Sequence, residues 1–155
     1  MGKIFSINYS KVKGVPKIQA LTAELMKAHG IKDDAHAGTA LRQVSLLPVE
    51  SMRAQQEAAR IKKATVEIRA GIYAENITTE GINLALLKIG DKLRVGGSAL
   101  LKISKIGKEC HKRCAIYHQV GDCIMPREGI FAEVVEGGAI GVGDSVEKVE
   151  DESTI

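Results

Sequence analysis

Three cysteines and two histidines are crowded into one segment of an otherwise ordinary sequence. Cys110, Cys114 and Cys123, with His111 and His118, all fall within GKECHKRCAIYHQVGDCIMPREG, residues 107–129. Such a group offers thiolate chemistry or metal binding. Lys108, His111, Lys112 and Arg113 surround Cys110, and Lys105 lies shortly before it. Cationic neighbours stabilise a thiolate and lower the thiol pKa, which points to Cys110 as the reacting atom. The same residues admit a structural reading. Cys110-x3-Cys114-x8-Cys123, with His111 or His118, could present three sulfurs and one nitrogen to tetrahedral zinc. The spacing is irregular, however, and no paired C-x2-C knuckles occur. A buried cysteine can also be simply a small apolar residue.

Three further patches carry functional side chains. His36 sits in GIKDDAHAG, where Asp33 and Asp34 could orient its ring or raise its pKa. Asn76 sits in ENITT, residues 75–79, whose Asn and Thr side chains are equally suited to capping turns. Arg127 follows Pro126 and could bind phosphate or carboxylate through its planar fork, or be a solvated charge. The sequence has no serine nucleophile elbow, no Walker phosphate loop and no HExxH zinc helix. GGAIGVG, residues 137–143, opens onto a strand rather than a helix, so it reads as two turns and not as a dinucleotide loop.

The elements that must position these residues follow from periodicity. Lys3 to Tyr9 alternates as a first strand. Ile18 to Lys27 has helical spacing and propensity favours a helix there, while Ala20 to Ala23 could equally be extended. Gln43 to Leu47 is β-prone. Pro48 then stands where a helix can begin, because its missing N–H costs nothing in the first turn. Val49 to Lys62, rich in Ala, Gln, Glu and Arg, is the long helix. Thr65 to Arg69 alternates as a strand, and Asn83 to Lys88 fits one helical turn. Lys92 to Val95 and Ser98 to Ser104 form a hairpin through Gly96-Gly97, a pair that tolerates a primed turn. Ile130 to Glu136 and Ser145 to Val149 are the closing strands. Short strands with Gly turns and one long helix predict a mainly β, barrel-like fold with some α.

Composition bounds the rest. The chain has 155 residues, enough for one domain over 1–150 with a frayed acidic tail at 151–155. The apolar fraction of 45% and charged fraction of 26% exclude a disordered chain. Aromatics make up only 3% and the net charge is +3, which disfavours nucleic acid as a partner. No apolar run is long enough to span a bilayer, and the N-terminus lacks the apolar core of a signal peptide. A cytoplasmic chain with reduced thiols is expected.

Taken together and in order, these patches resemble the MOSC domain, named after the C-terminal domain of molybdenum cofactor sulfurase. The matching stretches are GIKDDAHAG, RQVSLL with Glu50, GIYAENITTEGI, IGDKLRVG, the Cys110 segment and REGIFAEVVEGGAIGVGD. They span nearly the whole chain, in the manner of the small stand-alone prokaryotic type. The resemblance implies a β-rich barrel-like fold and a role around the molybdenum cofactor, molybdopterin. It implies that Cys110 carries sulfane sulfur as a persulfide or ligates molybdenum. His36, Arg42, Asn76 and Arg127 would line the cofactor pocket. Cys114, Cys123 and His111 would support Cys110 or be structural. Implied partners are a cysteine desulfurase or molybdopterin-biosynthesis protein as donor and a molybdoenzyme as acceptor. Some members reduce N-hydroxylated compounds with bound cofactor, which makes a small oxidoreductase an alternative. No pyridoxal phosphate site is expected, because the desulfurase domain of the sulfurase has no counterpart here. Two departures stand out. Asp33 occupies a place where the family usually has glycine, and Asp tolerates left-handed backbone better than most residues. The family is also extended where propensity favours the helix at Ile18 to Lys27.

Overall fold

Alternation of apolar and polar residues closes seven strands into a barrel. The computed structural model describes residues 2–12, 17–35, 37–38, 42–107, 115–121 and 123–150, with only the backbone of Ala115 and Arg127. In chain order the elements are β1 (Gly2–Tyr9), β2 (Ile18–Ala20), β3 (Thr22–Met26), β4 (Gly30–Ile31), β5 (Val44–Pro48), α1 (Val49–Ile61), β6 (Ile77–Glu80), a 3-10 turn (Leu84–Leu86), β7 (Lys92–Val95), β8 (Ala99–Ile106), α2 (Ala115–Val120), α3 (Met125–Glu128), β9 (Ile130–Glu136), β10 (Gly138–Gly141) and β11 (Ser145–Val149). The strands run β11-β7-β8-β9-β5-β6-β1, and β1 returns to β11 through Gly2↔Val146 and Lys3↔Ser145. Closure removes the free edges of these strands. β2 is appended to the far end of β1, and β10-β3-β4 form a separate three-stranded sheet.

One pair in the ring is parallel. β5 and β6 align Leu46 with Ile77 and Leu47 with Thr78. A parallel pair needs a long crossover, and α1 with the loop after it supplies one on the outside of the barrel. This splits the apolar side chains into two clusters. Val44, Leu46, Ile77, Leu101, Ile103, Ile130 and Ala132 fill the interior, joined by Leu25, Ile31 and Ile140 from the small sheet. Leu47, Met52, Tyr73, Ile116, Val120, Ile124, Met125 and Phe131 pack outside, between the β5–β9 wall and the helices. Leu46 and Leu47 are adjacent and both wholly buried, yet belong to different cores, as the two-residue period of a strand requires.

Several expectations need correction. Ile18 to Lys27 is extended, not helical. Ile18, Leu21 and Met26 are exposed, so no apolar helical face exists to bury, and β3 gains a full ladder with β10. Pairing overrides propensity here. Thr65 to Arg69 is not a strand: the Thr65 and Val66 amides donate to Gln119 Oε1, and the Ile68 carbonyl accepts from Gln56 Nε2. Side chains capture the groups a ladder would have used. The β7–β8 connection is three residues long, since Val95 pairs with Ala99, and of its two glycines only Gly96 has positive φ. Residues 138–141 form β10 rather than a pair of turns. A Cβ at Gly137 would stand 2.6 Å from the Leu25 carbonyl, so a small residue lets this strand approach β3. Pro48 ends β5 and caps α1 instead of lying in its first turn. Pro126 and Arg127 lie in the short α3, which no periodicity signalled, and β9 starts at Ile130 as expected.

Candidate functional site

The outer face of the β1–β6–β5 wall carries polar side chains in place of apolar ones. Asn76 is 1% exposed and ties three strands together. Its Oδ1 accepts from the Ser45 amide at 2.9 Å and from Ser45 Oγ at 3.2 Å, and its Nδ2 donates to the Asn8 carbonyl at 3.2 Å. Asn8 Nδ2 donates to Thr78 Oγ1 at 3.1 Å, which donates to Glu75 Oε2 at 2.8 Å. The Gly71 and Tyr73 amides also donate to the Glu75 carboxylate, at 2.9 and 3.2 Å. Burial pushes the Glu75 carboxyl up, and these donated hydrogen bonds offset only part of that. A buried, satisfied network of this kind specifies the wall's geometry.

The network continues into the loop that bears His36. Asp34 Oδ1 accepts from the Ser10 amide at 3.1 Å and from Lys17 Nζ at 2.6 Å, and both charged side chains are wholly buried. The Lys17 amide in turn donates to the Gly71 carbonyl at 2.9 Å, beside the Glu75 anchor. Asp34 therefore anchors the loop itself. The Ala35 amide donates to the Ser10 carbonyl at 2.6 Å, pinning the backbone one residue before His36. Asp33 has φ of 69°, the left-handed region that favours glycine and that Asp tolerates better than most residues. His36 lies outside the described residues.

Arg42 stands next along the same wall. Its guanidinium carbon lies 5.5 Å from the centroid of the Phe131 ring. Phe131 pairs with Ser45 on one side and with Lys105 on the other. Directly opposed residues of antiparallel strands share a face, so Ser45, Phe131 and Lys105 form one row across β5, β9 and β8, and Asn76, just before β6, joins it through its hydrogen bonds to Ser45. Arg42 and Lys105 are both half-buried, and neither has an ion-pair partner among the described residues.

The cysteine segment leaves the barrel at the end of this row. β8 stops at Ile106, and Gly107 turns with φ of 77° while its amide donates to the Gly129 carbonyl at 2.7 Å. Cys110, His111 and Cys114 lie outside the described residues. The segment re-enters as α2, which Gln119 holds to residues 65–66 and Lys62 Nζ holds by donating to the Val120 carbonyl at 2.7 Å. Cys123 is half-buried against the outer cluster. Arg127 is placed by its backbone in α3; its side chain is outside the described set. Among the described residues no three His, Cys, Asp or Glu side chains form a metal-binding group.

A cleft of about 540 Å³ lies on the other side of Gly107. Ile106, Glu128, Ile130, Glu50, Ser51 and the chain from Gly81 to Ala85 line it. Glu50 accepts from the Gly81 amide at 2.8 Å, and Ser51 Oγ donates to Glu128 at 2.6 Å. The segment bearing Cys110 thus departs between an acidic cleft and a basic strip. The structure brings Arg42 and Asn76 onto one wall, with Ser45 between them. Sequence reasoning missed Ser45, Phe131, Lys17 and the anchoring role of Glu75. The offset of Ser45 from the apolar Val44 and Leu46 was a signal for its facing outward. Nothing in the sequence linked Lys17 to Asp34.

A closed seven-strand barrel with a crossover helix and an inserted cysteine segment defines the class. The MOSC domain family model matches residues 33–147, and the chain belongs to that family. Solved structures share the fold. The YuaD protein from Bacillus subtilis superposes with a TM-score of 0.75 at 19% identity, covering 96% of both chains. YiiM from Geobacillus stearothermophilus gives 0.70 at 22% identity, covering 97% of this chain and 76% of its own. YiiM from Escherichia coli gives 0.67 at 19%, covering 96% and 70%. No curated protein matches the chain. No helix among the described residues is long and apolar enough to cross a membrane.

Proposed function

We propose that this MOSC domain handles the sulfur or the metal of the molybdenum cofactor through Cys110. The observation that carries this reading is the half-buried Arg42, stacked on Phe131 and free of an acidic partner among the described residues, on the wall from which the Cys110 segment departs. The donor chemistry suits the cofactor. Molybdopterin is anionic and its metal takes soft ligands. The Arg42–Lys105 strip and a cysteine meet both needs, whereas the Glu50–Glu128 cleft would repel an anion. Arg42, Arg127 and His36 would hold the anionic parts of the cofactor. Asn76 acts through Ser45 by fixing the wall. The cofactor, where bound, supplies redox chemistry at molybdenum.

In the sulfur-carrier form of the reading, a cysteine desulfurase is the donor. The Cys110 thiolate attacks the outer sulfur of the donor's persulfide. A new S–S bond forms at Cys110, the donor's S–S bond breaks, and the donor cysteine leaves as a thiolate. Lys108, His111, Lys112 and Arg113 beside it in sequence favour the anionic nucleophile. A molybdopterin-biosynthesis protein or a molybdoenzyme would receive the sulfur. Incubation with a desulfurase and cysteine, followed by peptide mass spectrometry, tests this. One added sulfur on Cys110, absent in Cys110→Ser, is expected. Sulfur on Cys123 or Cys114 alone would overturn the assignment.

A further inference from the structure

We infer that Arg42 and Lys105 form a clamp for a doubly charged tetrahedral oxyanion, seated over the Phe131 ring. The proposal rests on the cofactor-handling reading and gives its wall a specific ligand chemistry. Three observations converge. Arg42 is half-buried with its guanidinium over Phe131 at 5.5 Å, which fixes the plane of its donor fork without using its N–H groups. Lys105 is directly opposite Phe131 in the β8–β9 ladder, so its side chain rises on the same face. The irregularity between Ile103 and Lys105 is what turns it there, because it shifts the alternation of β8 by one residue.

Both cations are half-buried without a carboxylate partner among the described residues, whereas Arg53, Arg60 and Arg94 pair with Glu80, Glu57 and Glu136, and Arg69 donates to the Lys17 and Ala70 carbonyls. Two cations on one face, one over the Phe131 ring and one from the residue opposite it in the ladder, repel each other, and an anion relieves that repulsion. An oxyanion with two negative charges does so, taking the Arg fork in bidentate fashion and the Lys as a point charge. Ser45, which pairs with Phe131 from the β5 side, spends its hydroxyl on Asn76 and so fixes the edge of the row without contacting the anion. Phosphate monoesters and sulfur oxyanions share this chemistry. Acetate and chloride do not.

The test uses the full chain carrying Cys110→Ser, so that anion binding is read apart from sulfur transfer. Inorganic phosphate and thiosulfate are titrated at constant ionic strength while amide shifts are followed by NMR. Saturable shifts centred on Ser45, Phe131 and Lys105 are expected at millimolar anion. Affinity should fall at least tenfold in Arg42→Gln and in Lys105→Gln, and Lys105→Arg should retain most of it. A preference for thiosulfate assigns the site to a sulfur oxyanion, and a preference for phosphate assigns it to a phosphate monoester. Shifts that never saturate, that are matched by acetate, or that survive both Gln variants would overturn the clamp. If the clamp binds and Cys110 still takes no sulfur from a desulfurase, the carrier reading fails while the clamp stands.

Discussion

The barrel interior and the outer layer bury comparable side chains by different means. The interior is closed on itself: each apolar strand residue faces others across a ring, and backbone pairing runs around the whole circumference. The outer layer is assembled from α1, α2, α3 and an irregular segment at 65–75, held to the wall by single side chains such as Gln119, Lys62 and Glu75. The interior specifies a shape. The outer layer specifies a site, because there polar groups replace apolar ones and loops from distant parts of the chain meet. The cysteine-bearing stretch also begins after β8 and returns to this layer at α2.

The comparison can be broken most severely at the Lys17–Asp34 pair. Asp34→Asn leaves a buried ammonium without its carboxylate and should cost about 3–5 kcal/mol in denaturant unfolding. Replacing both residues with apolar ones of similar size should cost less than either single change. Equal losses would show that the pair is not the anchor of the His36 loop.

Leu46→Ala and Leu47→Ala sharpen the contrast directly. Both side chains are wholly buried, one in each core. Each truncation falls in the range of about 2–5 kcal/mol, and the value depends on how far the surroundings collapse. The closed ring cannot contract, whereas short helices can settle. Leu46→Ala should therefore lose more stability, and the reverse order would contradict the picture of a looser outer layer.

Glu75→Gln should destabilise by roughly 1–3 kcal/mol, since one amide oxygen cannot replace a carboxylate that accepts from Gly71, Tyr73 and Thr78. The loss should depend on pH. Burial raises the folded carboxyl above its ordinary 4.5, so the folded state holds the proton more tightly than the unfolded one. This contribution is greatest below 4.5 and declines as pH rises through the folded value. The wild type should thus lose stability over that window relative to Glu75→Gln, measured as the difference between the two unfolding curves. A flat difference would mean that the carboxyl is not desolvated.

The smallest effect on stability belongs to Arg42→Gln. Removing a half-exposed cation–π contact should cost no more than about 1 kcal/mol, visible as a small shift in thermal midpoint. A large loss would make Arg42 part of the scaffold.

Much of the architecture was legible before the structure. α1, β1, β9 and β11 follow period and propensity, and each was readable to within a residue or two. Asp33 was legible only as a residue that tolerates a left-handed backbone; its φ of 69° was fixed by the fold. Legibility failed where partners decide the outcome. Ile18 to Lys27 has helical spacing, but β10 supplies it a ladder. TVEIR alternates, but Gln119 and Gln56 satisfy its backbone.

The sequence by itself determined the inventory: where cysteines concentrate, which runs can be strand or helix, and which family the motifs belong to. These are properties of residue type and spacing along the chain, and they survive without knowledge of contacts. Only the tertiary structure decided the neighbours. It opposed Lys105 to Phe131, laid Arg42 over that ring, and buried Lys17 against Asp34. These contacts join residues 17 to about 90 positions apart in the chain, and they are set by barrel closure and ladder register. A shift of one residue in either would turn every such side chain to the opposite face.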